Sequence, residues 1–162
     1  MKLLDIIDNT PIPVGYRIAF LTNFWREPLL RRMEREFGLI RPEWTVLICL
    51  VYRDGLNSRD ICEVTEQPSN SISRGVAALE EKGLIHRRPD PQDARRSLLF
   101  ITDEGRAMHD QVMDLFVRAE RSILEVLDAE ETRVLTGLLD KLARDVVRWS
   151  HLPPYKPIDT DV

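Results

Sequence analysis

The stretch that most constrains this chain is residues 68–105, PSNSISRGVAALEEKGLIHRRPDPQDARRSLLFITDEG. On a helical wheel of ~100° per residue, Ile72, Val76 and Leu79 fall in one narrow sector. The opposite sector carries Asn70, Arg74, Ala77 and Glu81, with Ser71 and Ser73 on its flanks. Lys82-Gly83 closes that helix. Residues 84–88 and 97–101 then read as two short strands around a polar turn at 89–96, and Thr102 or Asp103 caps a further helix. A chain folded this way must bury the three-aliphatic seam against other helices, which leaves the helix's polar side and the hairpin tip facing outward.

A helix followed at once by a β-hairpin is the unit with which a winged helix-turn-helix presents one helix and one ribbon to a DNA duplex. Short side chains, an amide and an arginine suit base edges and phosphates in a major groove. Ser69, Asn70, Ser71, Ser73 and Arg74 are therefore the candidate contacts on the helix, and Arg87, Arg88, Arg95 and Arg96 those on the hairpin. The tip places Asp90 and Asp93 beside Arg95 and Arg96, so ion pairing can stiffen the loop while one guanidinium stays free for a narrow minor groove. Ser and Asn also cap surface helices generally, and a charged turn is often merely solvated. The two features together favour the nucleic-acid reading.

Charge distribution points the same way. The whole chain is −4, yet residues 71–100 hold six cations against four anions, so this segment is +2 and the remainder −6. Arginines number 19 against 4 lysines, which suits planar recognition of phosphate and guanine.

The rest of the chain is helical in pattern. Residues 1–13 form a leader in which Pro11 and Pro13 block helix until about Val14. From there to Phe37, Ile18, Leu21, Trp25, Leu29 and Met33 recur every three or four positions, with Pro28 as a kink point and Gly38 as the stop. Residues 44–52 are apolar nearly all round and read as a buried central helix. Asn57 or Ser58 caps a short helix through Val64. After the hairpin, one helix runs to about Leu127. Another starts at Asp128, with Glu131 in capping-box position, and runs to about Trp149. Its stripe of Leu135, Leu138, Leu142, Val146 and Trp149 is more apolar surface than a small winged domain needs, which points to dimerisation, with packing in the monomer core as the alternative. The tally is about six helices and one hairpin, a mainly α fold in three parts: residues 1–40, 41–105 and 106–162.

Other classes find little support. No glycine-rich phosphate loop, HExxH or nucleophile elbow occurs, so an enzyme is disfavoured. His86, His109 and His151 are scattered, and Cys49 and Cys62 lack metal-ligand spacing, so no metal or cofactor is expected. Both cysteines sit in apolar helical patterns and read as small buried hydrophobes. No apolar run approaches ~20 residues and no secretory leader is visible, so the cytoplasm, without membrane contact, is the expected location.

Over roughly residues 14–149 in element order, and densely from 44 to 105, the chain resembles the MarR family of bacterial transcription regulators. Ile61-Cys62-Glu63-Val64 is similar to the first helix of that family's helix-turn-helix, and 69–74 to the start of its recognition helix. Residues 79–85 resemble the helix end and first wing strand. Asp90-Pro91-Gln92-Asp93-Ala94-Arg95 resembles the wing signature, and 99–105 the return strand and next cap. Two positions depart from the pattern. Thr65-Glu66-Gln67 stands where a glycine and an aliphatic are common, and Gln92 where an arginine is frequent.

The resemblance implies a sequence-specific DNA-binding regulator, read here as a repressor. It implies a homodimer whose first and last helices interleave, on double-stranded DNA carrying a pseudo-palindromic operator. Arg95 carries over as the minor-groove contact, with Arg96 beside it. The resemblance also implies release by a small aromatic or anionic effector, for which Tyr16, Phe20, Phe24, Trp25 and Trp44 are candidate pocket residues. More often, aromatics at helical spacing are simply core. The family's peroxide-sensing cysteine near the N-terminus has no counterpart, since no Cys precedes Cys49. The alternative is a winged-helix protein-interaction module that does not bind DNA, which the −4 charge keeps open.

Overall fold

The computed structural model describes residues 3–93 and 96–150, without the side chains of Leu3, Leu4 and Trp149. Ten elements follow in order: α1 (Leu3–Asn9), α2 (Pro13–Phe37), α3 (Arg41–Tyr52), α4 (Ser58–Thr65), α5 (Ser69–Glu81), β1 (Ile85–Pro89), β2 (Ser97–Ile101), α6 (Asp103–Leu124), α7 (Ala129–Arg144) and α8 (Val146–Ser150). The chain divides between Arg121 and Ser122 into two compact units.

The core of the first unit is built around α3. Val46, Leu47 and Leu50 are fully buried, and Trp44 nearly so. Ile61 from α4, Ile72, Val76 and Leu79 from α5, Ile85 and Leu99 from the hairpin, and Met33 from α2 complete it. The apolar stripe of α2 is split along its length. Leu29 and Met33 are buried, whereas Ile18 and Leu21 stand exposed.

Local chemistry sets the boundaries. Gly38 ends α2 in the left-handed region at φ 65°, where a side chain would be strained. Asn57 Oδ1 accepts from the backbone N–H groups of Arg59 and Asp60 at 2.9 and 3.1 Å, capping α4. Thr102 Oγ1 accepts from Gly105 N at 3.0 Å and donates to Gly83 O at 2.9 Å, tying the start of α6 to the start of the hairpin. Asp128 and Glu131 form the reciprocal box at α7, at 2.8 and 2.9 Å.

β1 and β2 pair antiparallel, with Ile85 opposite Ile101 and His86 opposite Phe100. Leu56 bridges Leu99 on the other edge of β2. Asp54 Oδ1 accepts from Ile101 N at 2.9 Å and its Oδ2 pairs with Arg106 at 3.2 Å, so the hairpin root is anchored to the end of α3.

Two expectations are corrected. The leader is not helix-free, because α1 occupies Leu3–Asn9. Pro11 and Pro13 interrupt the chain only after it, and Arg17 reaches back from α2 to Ile7 O at 3.0 Å. The last long helix is broken in two at Asp145, whose φ −98° and ψ 9° leave the helical region. The Asp145 carboxylate accepts from Arg148 Nε at 2.7 Å, an ion pair at the start of α8. The described residues thus contain eight helices rather than six. None of them is long and apolar enough to cross a membrane.

Candidate nucleic-acid interface

α5 shows why its sequence has an aliphatic seam. Ile72, Val76 and Leu79 are fully buried, while Ser69, Asn70, Ser73, Arg74, Ala77 and Glu81 are exposed and Ser71 is half-buried. Gly75 lies between the two faces, against the start of α3. A Cβ there would sit 2.9 Å from Pro42 C and 3.0 Å from Pro42 O. Only a residue without a side chain allows α5 this close. Arg74 has no ion-pair partner among the described residues, so its guanidinium stands free on the outer surface.

The strand pleat sends the arginines of β1 to different faces. Arg87 lies on the same face as Ile85, toward the core, and its Nε donates to Glu80 Oε2 of α5 at 2.7 Å. Arg88 lies on the other face with its guanidinium carbon 4.9 Å above the Phe100 ring, which also stacks on His86 at 5.7 Å. Arg88 makes no ion pair among the described residues. Arg87 is ion-paired with Glu80 and remains exposed.

Backbone bonds close the described part of the hairpin tip. Asp90 N donates to Arg96 O at 3.0 Å and Arg96 N to Asp93 O at 2.8 Å. Asp90 Oδ1 accepts from Gln92 N at 2.9 Å. Arg96 is exposed at the end of this turn. Arg95 lies outside the described residues.

Among the described residues, two cations of the basic segment are therefore ion-paired within the fold. Besides Arg87, Lys82 donates from Nζ to the buried Glu43 at 2.5 Å and to Gly38 O at 2.7 Å. Neither partner of Lys82 lies within residues 71–100, so a local charge count cannot reveal the pairing. Glu43 stands three residues after Ile40 and accepts from Ile40 N at 2.7 Å, the glutamate half of a capping box, which an isoleucine at the cap position does not announce.

The turn between α4 and α5 has its own signature. Glu66 sits at φ 53°, the one non-glycine residue with positive φ among the described residues. That conformation explains why glycine is common here in the family that the chain resembles.

The five candidate pocket aromatics do not gather in one place. Tyr16, Phe20 and Phe24 share one face of α2 at four-residue steps, with centroids 6.5 and 4.6 Å apart, and Phe24 is 65% exposed. Trp25 is rotated by ~100° from Phe24 and joins a different group. Trp25 meets Phe116 edge-on at 6.4 Å, and Trp44 stacks on Phe116 at 5.3 Å. Trp25 and Trp44 line a cleft of about 320 Å³ together with Arg26, Arg41, Thr65, Gln67 and Phe116. Trp25 Nε1 and Arg26 Nε are buried and make no hydrogen bond among the described residues. Cys49, on the cleft wall, has its thiol pKa raised by burial.

In α7 and α8, Leu135, Leu138, Leu142 and Val146 are all exposed, at 39–54%. The side chain of Trp149 lies outside the described residues.

Comparison with known proteins agrees with this geometry. The MarR family model matches residues 37–96, which run from the end of α2 to the hairpin tip. The HTH-type transcriptional regulator YdgJ of Bacillus subtilis is 27% identical over 67% of this chain and 66% of its own length. The PcaV transcriptional regulator of Streptomyces coelicolor, solved in complex with its natural ligand, is 30% identical over 85% of this chain and 94% of its own, with a TM-score of 0.65. A MarR regulator from Methanosarcina mazei Go1 shares the fold at a TM-score of 0.75 and 18% identity, covering 83% of this chain and 96% of that one. The mainly helical fold, the buried seam of α5 and the hairpin beside it place the chain in the MarR family of winged-helix, DNA-binding transcription regulators, a family of regulators and not of enzymes.

Proposed function

We propose that this chain is a homodimeric repressor that reads a pseudo-palindromic operator with α5 in the major groove and the β1–β2 hairpin in the flanking minor groove, releasing DNA when a small aromatic or anionic ligand binds. The observation that carries the DNA reading is the division of α5. A fully buried seam holds the helix, while Asn70 and the unpaired Arg74 face outward beside Ser69 and Ser73. On the hairpin, Arg88, Arg95 and Arg96 are the proposed contacts. Arg87 supports them by holding Glu80.

Dimerisation is supported by exposed apolar side chains: Ile18, Leu21 and Phe24 on α2, and Leu135 and Leu138 on α7. A second copy would cover both sets. The ligand reading is supported by the aromatic walls of the cleft and by its unbonded donors on Trp25 and Arg26. Thr65 and Gln67 also line the cleft, so an occupant would press on the turn that leads into α5. A repressor of this kind works where the DNA is, in the cytoplasm.

The test is selection of duplexes from a random pool, followed by titration of the enriched sequence at several salt concentrations. Arg74→Ala should cost ~1–3 kcal/mol and, if Arg74 also touches phosphate, reduce the salt slope by about 1. Asn70→Ala should relax sequence preference more than it lowers affinity for random DNA. Absence of any enriched sequence, or wild-type binding by both variants, would overturn the assignment.

A further inference from the structure

The buried carboxylate of Glu43 is more than a helix cap. It is 2% exposed, accepts from Ile40 N through Oε2 and from Lys82 Nζ through Oε1, and Lys82 Nζ also holds Gly38 O. Lys82 is the C-cap residue of α5. Seven residues earlier, on nearly the same side of the helix, Gly75 rests on the backbone of Pro42 and Glu43. The helix is thus pinned at two points to one short segment, residues 38–43, where α2 gives way to α3. One pin is a close backbone contact in the middle of the helix, beside the buried seam of Ile72, Val76 and Leu79. The other is an ion pair at the helix end.

We propose that Glu43 and Lys82 form a positioning pair that sets the tilt of α5, so that discrimination between base sequences depends on an ion pair that touches no DNA. The proposal rests on the reading of α5 as the base-reading helix. Hydrogen bonds to base edges need donors and acceptors placed within a few tenths of an ångström, whereas attraction to phosphate tolerates small rotations. Without Lys82, a buried carboxylate loses its cation and the last turn of α5 loses its tether. The outer face then swings about Gly75, and the contacts that suffer first are those that specify sequence. In this arrangement the Lys82 ammonium is engaged by Glu43 and Gly38 O and not by phosphate.

The experiment compares the wild type with Lys82→Met, Lys82→Arg and Glu43→Gln, all in the full chain. Each binds the selected duplex and a scrambled duplex of equal length, well below its own melting midpoint. Lys82→Met should weaken the selected duplex by roughly tenfold, the scale of one lost base contact, with the scrambled duplex changed by less than about twofold and the salt slope unaltered. Lys82→Arg, which keeps a cation in reach of Glu43, should recover most of the discrimination. Should Lys82→Met fail to fold, Glu43→Gln carries the test, because it removes the charge while keeping an acceptor for Ile40 N; it should lower discrimination in the same direction. Equal losses on both duplexes, or no loss in folded variants, would overturn the proposal and leave the pair a stabilising contact. A salt slope reduced by about 0.9 in Lys82→Met would also overturn it, by making Lys82 a phosphate contact. A wild type that prefers no duplex would remove the base-reading assignment on which the proposal stands, a result separable from the others because it needs no variant.

Discussion

Replacing Gly75 by alanine tests how closely α5 is seated. Two effects oppose one another. In a helix interior alanine is favoured over glycine by about 1 kcal/mol. Against this, the new methyl would meet Pro42 C at 2.9 Å, Pro42 O at 3.0 Å and Glu43 N at 3.1 Å. Carbon atoms prefer separations of about 3.5–4.0 Å, and all three neighbours are backbone, so no rotamer change relieves the overlap. α5 must back away by about half an ångström or more, which loosens Ile72, Val76 and Leu79 together. Overpacking costs about 1–3 kcal/mol, and a rigid backbone neighbour places this site toward the upper end, so the net loss should be about 1–2 kcal/mol. For a chain of this length that corresponds to a melting point lower by about 2–8 °C. Gly137→Ala is the internal control. That glycine lies in α7 with nothing within 4 Å of its notional Cβ, so the same substitution should raise stability by about 0.5–1 kcal/mol. Urea and thermal unfolding measure both. If Gly75→Ala is as stable as the wild type or more so, the close approach of α5 to α3 is wrong, and with it the pivot invoked above.

Three further outcomes are expected. Glu66→Gly should stabilise the fold by about 0.5–1 kcal/mol, because the left-handed conformation costs a side chain about 1–2 kcal/mol and the unfolded-state entropy of glycine offsets part of the gain; unfolding in urea measures it. Leu138→Asp should shift the sedimentation of the protein toward monomer and raise the dimer dissociation constant by at least about tenfold, since a leucine that a partner buries contributes about 1.5–3 kcal/mol; an unchanged dimer would place the interface elsewhere. Cys49 should alkylate more slowly than an unstructured peptide thiol at pH 8. Its pKa is raised by burial, so the protonated form persists to higher pH, and whatever the shift contributes to stability is present below the unfolded thiol's pKa and lost as pH rises through the folded value. Mass-spectrometric labelling rates decide this.

What could be read from the order of residues was everything governed by neighbours a few positions apart. The seam of Ile72, Val76 and Leu79 follows from helical periodicity alone, and the three side chains are fully buried. The return strand at Ser97–Ile101, the Asn57 cap and the Asp128–Glu131 box follow from turn and capping chemistry in the same way. The break at Asp145 escaped notice because neither glycine nor proline announces it.

Tertiary structure decided the rest. Lys82 and Arg87 carry positive charge in any count, yet the fold hands one to Glu43 and the other to Glu80, through contacts spanning 39 and 7 residues of chain. Trp25 and Trp44 share a cleft while Tyr16, Phe20 and Phe24 form a separate ladder, a division set by which side of α2 meets α3 and α6. Periodicity shows that a face is apolar, but not what will cover it. That choice belongs to long-range packing, where an ion pair or an aromatic contact forms only between groups that the whole fold has brought within a few ångströms.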